Sequence, residues 1–339
     1  MDPLTHALAS YTLKRAAFPR VSRSVTLAIL VAGIIADVDI FSRYFGPSAY
    51  LSFDRTFFHS LLAALLIALL ATLPFFFLKP KNNQTKLAPA NVFGASLAAA
   101  LLHLLLDLCQ SSGVALLWPF SSLRFALDWL PYLDLWALGI VLAGVLLPLI
   151  SGLVTEEIGA RKKGPRGRLG ASFSLAAVLF YLIARSVLHG NAIATLESRT
   201  YRGESARRVA AFAESNSPFL WRGIVETERA LLEVDVPVGL GSDFDPGAAV
   251  TTYKPEPSPA LDAARNSAVA RRFLHVARFP KASVEQTQTG YHVILRDLGD
   301  TRGSAAALPV QALIDTDPSG RVLSEELAWV PSSRSSWWK

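Results

Sequence analysis

His103 and Asp107 stand four residues apart within the apolar run AALLHLLLDLCQ at 99–110. On a helix the two side chains leave the same face about one turn apart. An imidazole and a carboxylate offered together are ligands that a hard or borderline divalent cation takes. An ionisable group at membrane depth costs at least ~2.5 kcal/mol and faces a protein interior or a wet cavity, so this pair needs polar company. In chain order the company is His6, Asp37, Asp39 and His59. Asp37 and Asp39 diverge by about 200° on a regular helix. Both therefore reach one ion only where the helix ends; otherwise one is the ligand and its neighbour orients it or accepts a proton. Arg55 lies four residues before His59 and shares its face if the helix starts early, where a guanidinium grips a phosphate or carboxylate. Ser111, Ser112 and Gly113 read as a turn at the site mouth, and Cys109 as a neutral buried thiol. His189, His275 and His292 have no acid at ligand spacing and read as ordinary surface or domain residues.

The elements that must position these groups are apolar. Of 339 residues 51% are hydrophobic, with a mean hydropathy of +0.34, and the apolar blocks end near residue 188. This predicts an α-helical transmembrane bundle over 1–189, carrying the metal site, followed by a soluble α+β domain over 190–339. The bundle is expected to hold about five long apolar helices, at 25–45, 57–78, 90–108, 135–154 and 171–188, plus a short N-terminal half-helix at 3–13. The half-helix is too short to span. It carries Lys14 and Arg15 after its apolar core, the reverse of a signal peptide, and is expected to be retained. At 1.5 Å per residue, His6, Asp37 and His103 rise about 13, 21 and 25 Å from the nearest basic residue below them, while His59 opens a descending helix near the outer face. The set converges in the outer half of the bilayer if the first segment enters as a half-helix.

The formal charge of +6 sits largely between apolar blocks, which points to topology and not to nucleic acid. Lys14, Arg15, Arg20 and Arg23, then Lys79, Lys81 and Lys86, then Arg161, Lys162, Lys163, Arg166 and Arg168 alternate with less basic loops at 46–56 and 109–134. The positive-inside rule puts the N-terminus in the cytoplasm and the second half outside. Trp118, Trp129 and Trp136 fit an interfacial belt. Cys109 is the single cysteine, so an internal disulfide and a cysteine-based structural zinc site are excluded. In the soluble half, 204–214 and 260–277 read as amphipathic helices, 283–288 and 291–298 as a hairpin about Thr289-Gly290, and 231–238 and 307–314 as strands. The strip 218–222 is either core or a docking surface, no internal repeat is visible, and the tail SSRSSWWK reads as loose.

The segments MDPLTHALAS, ADVD at 36–39, RTFFHS at 55–60 and HLLLDLCQSSGVALLWPFS at 103–121 together resemble the YdjM-like membrane-bound, metal-dependent hydrolases over residues 1–190. The sequence departs from that pattern at Ala36, where the family often has proline, and at Asp54, where a histidine often precedes the arginine. The order His, Asp, His, His-x-x-x-Asp is also similar to the zinc-dependent phospholipase C and single-strand nuclease superfamily. That similarity implies two or three zinc ions and phosphoester hydrolysis. It would put His6 and Asp107 on a second zinc, and Asp37 or Asp39 with His59, His103 and Asp107 on the first. The later histidines of that superfamily have no counterpart here.

The expectation is a hydrolase of the bacterial inner membrane, with one to three zinc-like divalent ions near the outer leaflet. Membrane lipid is its environment and a candidate phosphoester substrate, Arg55 steadies the phosphate, and Asp37 or Asp39 accepts the proton. No protein partner can be named. Two other classes stay open. Carboxylates and histidines at membrane depth also mark metal-ion transporters, and a structural metal would suit a non-catalytic anchor.

Overall fold

The computed structural model describes residues 1–77, 88–157, 167–239, 241, 243–298 and 309–331. Lys79, Lys81, Lys86, Arg161, Lys162, Lys163, Arg166 and the tail 332–339 lie outside the described residues. Contacts divide the chain into two compact units. The first comprises Met1–Asp39, Arg55–Gly190 and Phe212–Phe219; the second comprises Ile40–Asp54, Asn191–Ala211 and Leu220–Lys339.

The first unit is helical. Helix α1 (Pro3–Ala17) starts at Asp2, whose carboxylate accepts from the Thr5 amide at 2.9 Å and the Thr5 hydroxyl at 2.6 Å, satisfying a backbone donor that the first turn leaves free. Helix α2 (Arg23–Ala32) is capped by the Ser22 hydroxyl and ends at Gly33. A 3-10 helix, Ile35–Phe45, follows, and then α3 (Pro47–Phe53), which belongs to the second unit. Helix α4 (Leu61–Thr72) is capped by Ser60 and followed by α5 (Pro74–Phe77). Helices α6 (Pro89–Leu108), α7 (Leu135–Glu157) and, as far as Gly190, α8 (Arg168–Glu197) complete the unit. Helix α6 is the hub, packing against α1, α2 and α4.

Among the described residues, α6 and α8 are long and apolar enough to cross a membrane, and α2 with the 3-10 helix makes a third if that pair, bent by 47°, counts as one span. The five long helices expected from composition are therefore not found among the described residues. Leu61–Phe77 and Leu135–Pro148 are shorter apolar helices. Pro74 divides α4 from α5, because a proline ring removes an N–H and clashes with the preceding turn. The expected helix from residue 57 begins only at Leu61, so Arg55 and His59 do not share a helix face; Arg55 sits in a turn with φ +53°.

Packing in α4 runs opposite to that of a water-soluble helix. Its buried residues are Ala63, Ala64, Ala68 and Thr72, whereas Leu65, Leu66, Leu69 and Leu70 point outward. Helix α6 buries Ala95, Ser96, Ala99 and Ala100, with Ala100 against Ala64 of α4 and Ala95 and Ala99 in a cluster with Ala28 and Ile29 of α2. Small residues inside and leucines outside are what close helix packing in lipid requires, since lipid tails solvate leucine as well as a protein core does.

The second unit carries short strands β1 (Thr200–Tyr201) and β2 (Glu204–Ser205), then β3 (Arg208–Ala213), β4 (Leu220–Glu226), β5 (Ala230–Pro237) and β6 (Val250–Tyr253), forming a sheet in the order β3-β4-β5-β6. Helices α9 (Pro259–Asn266) and α10 (Ala268–Val276) precede β7 (Pro280–Gln286), β8 (Tyr291–Asp297), β9 (Val310–Thr316) and β10 (Val322–Trp329), an antiparallel meander. Leu261, Ala264, Ala270 and Phe273 of the helices bury against Val293, Leu295, Ala312 and Ile314 of that sheet. The helix at 260–277 is broken in two at Ser267, whose hydroxyl caps α10.

The expected helix at 204–214 is instead β2 and β3. The Arg207 amide donates to the Glu226 carbonyl at 2.8 Å, and this long-range edge pairing overrides a short helical periodicity. In the strip 218–222, Trp221 is fully buried and Phe219 is 56% exposed. His292 does have an acidic partner: its Nδ1 lies 2.6 Å from Asp315 Oδ1, and the Ser324 hydroxyl donates to Asp315 Oδ2 at 2.5 Å. Sheet register places these three side by side, which a spacing of 23 residues along the chain conceals. Asp315 titrates below the ordinary carboxylate range because of the Ser324 hydroxyl and then His292.

Candidate metal centre

Four buried or half-buried side chains from three helical elements converge. His6 comes from α1, Asp37 from the 3-10 helix, and His103 and Asp107 from α6; one ligand atom from each lies within 4.8 Å of all the others. Burial of His6, His103 and Asp107 is essentially complete. His103 Nε2 is 3.2 Å from Asp107 Oδ2 and 3.8 Å from Asp37 Oδ1. His6 Nε2 is 3.4 Å from Asp107 Oδ1, and its Nδ1 is 3.8 Å from Asp37 Oδ2 and touches His103 Nδ1. The Gly33 carbonyl stands 2.9 Å from His103 Nδ1. As acceptor of that N–H it fixes the tautomer whose Nε2 lone pair points at the carboxylates.

Local structure explains why these atoms meet. The His-x-x-x-Asp spacing puts two ligands on one face of α6. Helix α2 ends at Gly33, and the tighter 3-10 coil then carries Asp37 toward α6. α1 also approaches closely at Gly33, since a Cβ there would lie 1.9 Å from Ser10 Oγ. Ser10 is one turn along α1 from His6, so a residue without a side chain is what lets His6 approach.

The other sequence candidates lie beside this group. His59 Nε2 is 2.9 Å from Asp107 Oδ2 and 3.2 Å from His103 Nε2, while its Nδ1 faces Asp39 Oδ2 at 2.8 Å. Asp39 Oδ2 also accepts from the Arg55 amide at 2.8 Å. Asp39 thus touches His59 and the Arg55 backbone and lies outside the four-residue group, while Asp37 lies within it. Arg55 Nη1 is 3.4 Å from Asp107 Oδ1, and its Nη2 donates to Gln110 Oε1 at 3.3 Å. The Met1 nitrogen also contacts Asp107 Oδ1.

Gln110 was not singled out from the sequence. Fully buried, it donates from Nε2 to Asp107 Oδ1 at 2.7 Å while accepting from Arg55. Its place three residues after Asp107, within reach of that carboxylate across the helix end, was the available signal. The Gly33 carbonyl gave none, because backbone groups carry no sequence signature.

The residues fit a divalent cation. Three carboxylates (Asp37, Asp39, Asp107) and three imidazoles (His6, His59, His103) lie in and beside the group, an oxygen and nitrogen donor set without thiolate. His6 Nε2, Asp37 Oδ2 and Asp107 Oδ2 are buried without a well-formed hydrogen bond among the described residues. Each such atom costs about 1–3 kcal/mol when left unsatisfied, and a bound cation removes that cost.

A helical unit whose spans face leucine outward, and whose interior holds a cluster of histidine and aspartate, defines a membrane protein with a candidate metal site. The family model described as YdjM inner membrane protein matches residues 1–192, and the chain belongs to that family. No curated protein and no solved structure matches the chain.

Proposed function

We propose that this chain is a metal-dependent hydrolase of the inner membrane, acting on a phosphoester, with a lipid headgroup as the substrate class. The observation that supports this is the convergence of His6, Asp37, His103 and Asp107 within 4.8 Å, with the guanidinium of Arg55 3.4 Å from Asp107. A structural or transported ion needs the first feature; a phosphate substrate gives a reason for the second. His6, Asp37, His103 and Asp107 would hold the ion. When bound, a divalent cation, zinc in this reading, supplies a water that ionises near neutral pH and polarises the scissile bond.

The chain's own residues do the rest. Asp39 holds the His59 ring through Nδ1, so His59 presents Nε2 to the cluster. The His59–Asp39 pair is set to accept a proton at Nε2, as general bases backed by a carboxylate do. Gln110 bridges Arg55 to Asp107 and fixes the direction of the guanidinium, whose charge offsets that of the phosphate. Tight burial excludes bulk water and strengthens every one of these interactions.

The test is metal analysis and phosphoesterase assay on the purified chain in lipid nanodiscs, with His103→Ala and Asp107→Asn beside the wild type. Bound zinc near one equivalent or more, with both metal and activity lost in the variants, is expected. Metal flux into liposomes without hydrolysis, or bound metal with neither activity, overturns the hydrolase reading.

A further inference from the structure

The second unit holds a cleft of about 360 Å3 lined by the β4–β6 part of one sheet, by β7 and β8 of the other, and by α9 and α10. Its floor is apolar: Leu231 and Leu295 are buried and Leu274 is half-buried. Its rim is cationic, with Lys254, Arg265 and Lys281. The lining has one carboxylate, Glu226, and that charge is already engaged by Lys254 at 2.8 Å and by Arg208 at 3.3 Å. Lys254 gives a second hydrogen bond to the Thr227 carbonyl at 2.8 Å. Arg265 and Lys281 have no carboxylate partner among the described residues. Two cations at the mouth of a leucine-floored cleft thus face no compensating carboxylate among the described residues.

We propose that this cleft binds a small amphipathic anion, a phosphate or carboxylate head on a short apolar tail, with the head on Arg265 and Lys281 and the tail on Leu231, Leu274 and Leu295. The volume lies within the range of small-molecule sites. Guanidinium and ammonium groups recognise either head. The apolar floor gives a free anion no benefit and a tailed one about fourfold in affinity per methylene buried. This site does not rest on the reading of the metal centre, and it shares no residue with it.

Isothermal titration of the full chain in phosphatidylcholine nanodiscs, with empty nanodiscs subtracted, tests the assignment. The probes are inorganic phosphate, butyl phosphate, hexyl phosphate, hexanoate and hexanol. Hexyl phosphate should bind more tightly than butyl phosphate, and inorganic phosphate most weakly. Hexanol should not compete, and 0.5 M salt should weaken binding. The double variant Arg265→Gln/Lys281→Gln should lose at least tenfold. Leu274→Ala should shrink the gap between hexyl and butyl phosphate and leave inorganic phosphate unchanged. The ratio of hexyl phosphate to hexanoate tells which head group the site prefers. Equal binding by the double variant and the wild type overturns the proposal. So does hexanol that competes well, or binding that disappears in His103→Ala, which would put the ligand at the metal centre.

Discussion

Replacing Gly33 by alanine should weaken metal binding at the candidate centre without touching a ligand. The new Cβ would sit 1.9 Å from Ser10 Oγ and 2.8 Å from Ser10 Cβ, where ordinary contact begins at 3.4 Å. Rotating the serine hydroxyl relieves the first clash but not the second, so α1 must shift away from α2 by several tenths of an ångström. His6 rides on α1 one turn before Ser10, and a metal site tolerates only about 0.2 Å of error in ligand distance. Overpacking of this kind costs about 1–3 kcal/mol of stability. Displacement of one ligand from the set should lower metal affinity by tenfold or more. The measurement is zinc per chain by mass spectrometry after chelator challenge, beside a thermal melt. Ser10→Gly should restore both in the double variant by making room for the methyl group. A Gly33→Ala protein that keeps wild-type zinc and stability, or one that Ser10→Gly fails to rescue, refutes the reasoning.

Asp39→Asn should leave the four-residue group in place but loosen His59, which loses a charged partner at Nδ1; activity is expected to fall 10–100-fold with the metal content unchanged, read by hydrolysis assay beside metal analysis. In α4, Ala68→Leu should destabilise the helical unit by about 1–3 kcal/mol, whereas Leu69→Ala should change it by about 0.5 kcal/mol or less, because Ala68 is buried and Leu69 faces outward; unfolding in mixed micelles compares the two. Asp315 has a depressed pKa, so the stability it contributes is present above the free-carboxylate value of 3.8 and is lost as pH falls through its lower folded value. Melting of wild type and Asp315→Asn should therefore differ at neutral pH and converge in strong acid, and a difference that grew on acidification would contradict the assigned sign.

The His-x-x-x-Asp pair of α6 could be read from spacing alone, because helical geometry ties residues four apart to one face whatever surrounds them. The same holds for the apolar blocks and for the hairpin about Gly290, where local chemistry and final structure agree. The sequence also suggested that one of Asp37 and Asp39 would be the ligand and the other its support. Which of them enters the four-residue group depended on where α2 stops and how tightly the next turn coils. Helix number failed for a related reason: composition counts apolar residues, while Pro74 and the turn before Leu61 decide where a continuous rod starts and stops.

Tertiary structure alone supplied the rest. Gln110 joined the site because Arg55, in a turn with positive φ and not on a helix, reaches across to it. His292 acquired Asp315 through sheet register, and 204–214 became strand because β4 offers an edge. Residue type and spacing determine what a side chain can do within one or two turns of chain. Partners 16, 70 or 97 residues away, as for Asp39 with Arg55, Gly33 with His103 and His6 with His103, are chosen by packing. Packing depends on the shapes of all the surfaces at once.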